Sequence, residues 1–326
     1  MKRFGSILLL AALLVSSFAF AQVQLDLATT YSGTNVFAAS AREFAEKVAE
    51  ATNGEVEVIV HEGGALGLRD EDQFSAVADG IVPLSNILMG ASIGSAPIFG
   101  LSTMPFYVRG FEESKLLHDI ARPYYDEAAE RFNQKILYTH PWSPSALQTQ
   151  RPMETYEDIA GLNIRTYDRN GTDVLNKAGA NAIVMSWGDV YPALATGTID
   201  SVLTSAQSGA TGNLYEVLTH YTRVNFAIPL NMTNINLDTW NSLTPEQQEA
   251  IEAVGREMEE LEWTRAVELM EADEQTLADN GMELKLEISD EFAARLAADG
   301  QEIMDEWADQ TGDIAHEILR EFEERR

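Results

Sequence analysis

Three side chains of complementary chemistry punctuate the stretch 157–211, EDIAGLNIRTYDRNGTDVLNKAGANAIVMSWGDVYPALATGTIDSVLTSAQSGAT. Arg165 carries a planar cation that can give a carboxylate two parallel hydrogen bonds. Trp187 brings a flat aromatic face, either the wall of a pocket or a plug in a core, and Thr204 brings a hydroxyl. Converging on one crevice, the three would clamp a small anion. Asp168, three residues beyond the arginine, is either a surface carboxylate or a polar contact in the same crevice. If ionised there, it would repel a simple anion, and the loss of water on closure would sharpen the repulsion. Three arrangements avoid the conflict. Asp168 points outward, it pairs with Arg165 or Arg169, or the ligand carries a positive group that Trp187 and Trp142 could face. Trp142 is a candidate by position, and Tyr31 and Met89 follow earlier strands that would face the crevice. Asp189 and Tyr191 read as residues that fix a helix start and its core.

The elements that would position these residues alternate. A strand is expected over 162–165, then a helix with Thr172 or Asp173 at its N-cap and Gly179 at its C-cap. A strand over 182–185 runs out at Trp187, a helix covers 189–195, and a third strand covers 199–204. This strand–helix–strand–helix–strand order is the unit of a parallel sheet, whose ligand sites lie beyond the C-terminal ends of the strands. Arg165, Trp187 and Thr204 all fall at such ends.

The segments GLNIRTYDRNGTDVLNKAGA and SWGDVYPALATGTIDSV resemble the core signature of DctP-like extracytoplasmic solute-binding proteins of tripartite ATP-independent periplasmic (TRAP) transporters. The likeness runs from the first strand to the C-terminal helices. It implies an α/β, two-domain periplasmic binding protein fold (type II-like) with hinge crossings and a long helix spanning both domains. It also implies a role as the binding component that hands a ligand to a membrane permease. Two departures from the sialic-acid branch of that family stand out. Ser145-Ala-Leu-Gln replaces a second arginine, and Leu203-Thr204-Ser205 replaces a glutamate-asparagine-proline motif. The resemblance therefore implies a smaller, singly carboxylated ligand.

The N-terminus supplies the address. Lys2 and Arg3, the apolar run 7–15 and Ala19-Phe20-Ala21 read as a cleaved secretory signal over 1–21, ahead of Gln22. The run is too short for the roughly 20 apolar residues that a membrane span needs. With no cysteine, the chain has neither a lipid-attachment thiol nor a disulfide framework, so a monomer moving freely in the periplasm is expected. The formal charge of −30 repels nucleic acid and anionic lipid. Solvated helix faces or a salt-rich habitat would each explain it.

Along the rest of the chain, strands are expected over 25–29, 56–60 and 82–89, and a helix with Phe37, Phe44 and Val48 on one stripe over 35–51. The loop His61–Gly67 lacks the Gly-Lys-Ser/Thr of a phosphate cradle and reads as structural. Pro141-Trp142-Ser143-Pro144 reads as a rigid crossing between domains. Thr244-Pro245-Glu246-Gln247 is a helix start with a capping box, and the helix could reach residue 279. The domain expectation is 22–143 with 231–270 for the first and 144–230 with 271–326 for the second. Five scattered histidines make no metal set, and no serine elbow, phosphate loop or cysteine nucleophile is present. No cofactor is expected. A periplasmic enzyme on the same architecture, or a scaffold, remains the reading from another class.

Overall fold

The computed structural model describes residues 22–326; the signal segment expected over 1–21 lies outside the described residues. Apolar alternation builds β1 (Val23–Ala28), which buries Leu25 and Leu27 and turns Gln24 and Asp26 outward. Asn35 caps α1 (Val36–Ala51) by accepting from the Phe37 N–H, and the helix buries Phe37, Phe44 and Val48. There follow β2 (Val56–His61), α2 (Asp70–Ala78), β3 (Leu84–Leu88), α3 (Phe111–Glu130) and β4 (Gln134–Pro141). The second lobe comprises β5 (Ser145–Thr149), β6 (Asn163–Thr166), α4 (Arg169–Lys177), β7 (Asn181–Val184), α5 (Trp187–Ala195), β8 (Ser201–Ser205), α6 (Ala206–Thr211) and β9 (His220–Thr222). The chain returns through β10 (Leu230–Asn236), α7 (Leu237–Ser242) and α8 (Pro245–Asp279), and ends with β11 (Glu283–Lys285), α9 (Asp290–Thr311) and α10 (Asp313–Arg325).

Two sheets result, one per lobe. The first has the order β2-β1-β3-β10-β4, with β10 antiparallel to both neighbours. The second has the order β11-β9-β5-β8-β6-β7. Within it β8, β6 and β7 are parallel, as the alternating pattern of 162–204 requires. The lobes are joined by residues 142–144, by residues 223–229 and by α8. The N-terminal half of α8 sets Ile251, Val254 and Met258 into the first-lobe core, and Leu277 near its end enters the second-lobe core. Thr244 and Gln247 form the expected capping box at its start.

The tail departs from the expected grouping of 271–326 with the second lobe. In α9, Phe292 and Leu296 pack with Ile164 and Leu175, whereas Trp307 joins Leu117 and Ile120 of α3. Ala315, Ile318 and Phe322 of α10 then lie in the same first-lobe core. That stripe at i, i+3 and i+7 finds its apolar partner on α3, so the chain ends against the first lobe.

Candidate functional site

A cavity lies between the two sheets, with about 460 Å³ of empty space including its opening to solvent. Tyr31, Asp70, Leu88 and Trp142 line it from the first lobe and the crossing. Ser145, Arg165, Tyr167, Trp187, Thr204, Ser205 and Ser208 line it from the second, with Pro229 on a crossing. The strand ends explain the convergence: β6 delivers Arg165 and Tyr167, β8 delivers Thr204 and Ser205, and the turn after β7 delivers Trp187.

Arg165 is buried, at 4% exposure, and its Nε donates to the Met185 carbonyl at 2.9 Å. Neither terminal nitrogen has a hydrogen bond among the described residues, so its two-pronged face is left for the cavity. Burial pushes its pKa down, and the nearby charge of Asp70 acts against that. An arginine stays protonated through such a shift. Its guanidinium carbon is 5.7 Å from the centre of the Trp187 ring. That ring is seated in turn on Gly212, where a Cβ would come within 2.8 Å of it.

The opposite wall is aromatic. Tyr31 meets Trp142 edge-on at 5.4 Å between centroids, and Phe37 packs behind both. Trp142 Nε1 donates to Asn231 Oδ1 at 2.8 Å, which fixes the indole plane. Ser145 Oγ donates to the Tyr167 hydroxyl at 3.1 Å, leaving the phenol hydrogen free. Burial raises the pKa of Tyr31 and Tyr167, so both remain neutral donors.

Asp70 is the carboxylate of this cavity among the described residues. Its Oδ1 accepts from Thr30 Oγ1, and its Oδ2 accepts from Ser186 Oγ at 2.8 Å and from the Trp187 N–H at 3.0 Å. A first-lobe carboxylate thus bonds to the start of a second-lobe helix.

Five of the seven residues expected from sequence, Arg165, Trp187, Thr204, Trp142 and Tyr31, line the cavity; Asp168 and Met89 do not. Met89 is fully buried in the first-lobe core with Phe74, Phe99 and Leu101. Its neighbour Leu88 faces the cavity, because successive side chains of a strand end point opposite ways. Asp168 takes none of the three expected arrangements. It is the N-cap of α4, its Oδ1 accepting from the Gly171 N–H at 3.0 Å, so α4 begins earlier than the expected Thr172 or Asp173 cap. Its Oδ2 is buried without a hydrogen-bond partner, facing Gly90 of the first lobe, where a Cβ would approach it to 2.8 Å. Arg169 pairs with Asp173 instead. Asp189 is exposed and paired with Arg69, and Tyr191 is exposed and donates to Glu216 rather than entering the core. Sequence reasoning missed Asp70, Tyr167, Ser145, Ser205, Ser208, Leu88 and Pro229. A signal existed for Ser145, which was singled out where a second arginine would stand.

Two α/β lobes, three crossings and a buried arginine in the cleft define a bilobal solute-binding protein. The chain matches the model of the family "Bacterial extracellular solute-binding protein, family 7" over residues 27–324, and it belongs to that family. The family is one of binding proteins, not enzymes. A solute-binding protein of Chromohalobacter salexigens is 25% identical over 253 residues, 77% of this chain and 75% of the relative. Among solved structures, a Bordetella pertussis extracytoplasmic solute receptor binding pyroglutamic acid superposes with a TM-score of 0.90 at 22% identity. It covers 93% of this chain and 100% of its own. A marine metagenome TRAP solute-binding protein in complex with co-purified pyroglutamate gives a TM-score of 0.89 at 24% identity, covering 93% and 99%. These structural likenesses agree on the two-domain fold. Among the described residues no helix is long and apolar enough to cross a membrane.

Proposed function

We propose that this chain is the periplasmic substrate-binding component of a TRAP transporter, secreted by way of its leader. In this reading it captures a small organic acid between its lobes and delivers it to the membrane permease. The observation that carries the reading is Arg165, buried in the cleft with both terminal nitrogens free and aromatic rings around it. A carboxylate there gains a charge-assisted two-pronged contact in a site that excludes water. The carbon-rich walls, Tyr31, Leu88, Trp142, Tyr167, Trp187 and Pro229, favour a compact acid over a polyhydroxylated one. Several polar groups of the site are already engaged, Trp142 Nε1 with Asn231 and Ser205 Oγ with Ser208 among them. Pyroglutamate, bound by two of the structural relatives above, is the first acid to test. The alternative of an amine or zwitterionic ligand loses the support of Asp168, which faces Gly90 outside the cavity.

Mass spectrometry of small molecules released on denaturation, followed by calorimetry with a panel of carboxylates, tests the reading. Arg165→Ala is expected to weaken binding by about 30-fold or more, since truncating a desolvated charge contact costs roughly 2–5 kcal/mol. Unchanged affinity in a variant with an unchanged melting temperature would place the carboxylate elsewhere.

A further inference from the structure

The N-termini of α2 and α5 face each other across the mouth of the cleft, and Asp70 stands between them. It is the first residue of α2, and its Oδ2 accepts from the Trp187 N–H, the first of α5. Ser186, at the N-cap position of α5, gives its own helix no side-chain cap. Instead its hydroxyl donates to Asp70 Oδ2 at 2.8 Å, and the Asp70 N–H points back at the same hydroxyl at 3.5 Å. The cap of a second-lobe helix is thus supplied by the first lobe. Next to it, Arg69 Nη2 donates to Asp189 Oδ2, in the first turn of α5, at 2.6 Å. Adjacent residues of one lobe therefore grip one turn of the other.

Electrostatics makes this grip conditional on Asp70. A helix N-terminus carries roughly half a positive charge and unpaired N–H groups. Closing the cleft brings two such ends together beside the buried guanidinium of Arg165. Asp70, with Glu71, Asp72 and Asp189 in the same first turns, supplies the carboxylate that stands between them. We propose that Arg69 and Asp70 form an interlobe latch, which holds α5 and its Trp187 wall against the first lobe and so governs how long the cleft stays shut. Asp70 is then a positioning residue, acting on ligand residence through Trp187. The inference builds on the binding-protein reading of the same cleft.

Both contacts join residues of the chain's own two lobes, so an interlobe distance reads them directly. The chain has no cysteine, and Ile81 and Glu283 are exposed on different lobes, which makes Ile81→Cys with Glu283→Cys a clean pair for spin labels. Asp70→Asn in that background should shift the interlobe distance distribution to longer values, and Arg69→Ala should shift it the same way by less. The same variants, followed by tryptophan fluorescence with pyroglutamate as probe, should release it faster, by about ten-fold for Asp70→Asn and two- to five-fold for Arg69→Ala. Arg69→Ala and Asp189→Ala should not add when combined, because they break one contact. Association rates should stay within about two-fold. Unchanged distances in Asp70→Asn would overturn the latch. So would a loss in Asp70→Asn confined to acids bearing an N–H or O–H donor, because Asp70 would then be a ligand contact. If the wild type binds no acid of the panel, the carboxylate reading fails while the distance measurement still decides the latch.

Discussion

Asp168 holds its charge in a poor place. Burial pushes its pKa up to about 6 from an ordinary 3.8, while the Thr103 hydroxyl, the Gly171 N–H and Arg165 pull the other way. A carboxyl whose folded pKa is raised binds its proton more tightly in the native state. Its contribution is therefore full below pH 3.8 and is lost as pH rises to about 6. Asn keeps the cap oxygen and has no charge to bury. Asp168→Asn should therefore gain stability relative to wild type as pH rises from 4 to 7, by roughly 2–3 kcal/mol for a shift of this size. Denaturant unfolding of both proteins across that range checks it, and a constant difference would show that the carboxyl is neutral or solvated throughout. This residue also marks the limit of sequence reading at the single-residue scale. Arg165 was legible because its type, its strand end and its motif agreed. Asp168 was not, because a cap and a ligand contact call for the same side chain at the same strand exit. Asp70 lay out of reach because its partners, Ser186 and Trp187, are more than a hundred positions away.

Elements were legible where local chemistry acts alone. The capping box and the proline at Pro245 marked the start of α8, and its predicted end at residue 279 is the observed one. The β6-α4-β7-α5-β8 order was legible from periodicity, with ends displaced by one or two residues except at α4. Placing α10 needed knowledge that α3 leaves an apolar face open, and such a tertiary fact has no local signature. A tertiary contact also decides the case of Gly255. In α8 an alanine would normally help, since glycine costs a helix about 1 kcal/mol relative to alanine. At Gly255, however, a Cβ would stand 2.6 Å from the Leu137 carbonyl oxygen of β4, a backbone atom that cannot swing aside. Separating helix from sheet costs typically 1–3 kcal/mol, which exceeds the propensity gain. Gly255→Ala should therefore lower the melting temperature by several degrees, as calorimetry would show. An increase would mean that α8 and β4 part without cost.

At the scale of the whole molecule the dominant fact is the formal charge of −30, from 52 acidic and 22 basic side chains. Ion pairs offset part of it, but many have an exposed partner, and several lie at i,i+4 on one helix, as in Arg131–Glu127 and Arg325–Glu321. Such pairs contribute about 0–1 kcal/mol each. Repulsion among the unpaired carboxylates should therefore outweigh what salt removes from the pairs. Screening shortens from about 30 Å at 0.01 M to about 3 Å at 1 M ionic strength. The melting temperature is accordingly expected to climb as sodium chloride rises over that range. Ligand capture has its own salt dependence. The negative field repels an approaching carboxylate at long range, whereas the attraction of Arg165 acts within the cleft and is screened less. The association rate of an acid should therefore increase with salt while its release rate changes little, the reverse of electrostatically steered binding. Stopped-flow tryptophan fluorescence across the salt series measures both rates. A melting temperature that stays flat would reduce the acidity to solvated helix faces. An association rate that falls with salt would mean that Arg165 projects its field beyond the mouth of the cleft.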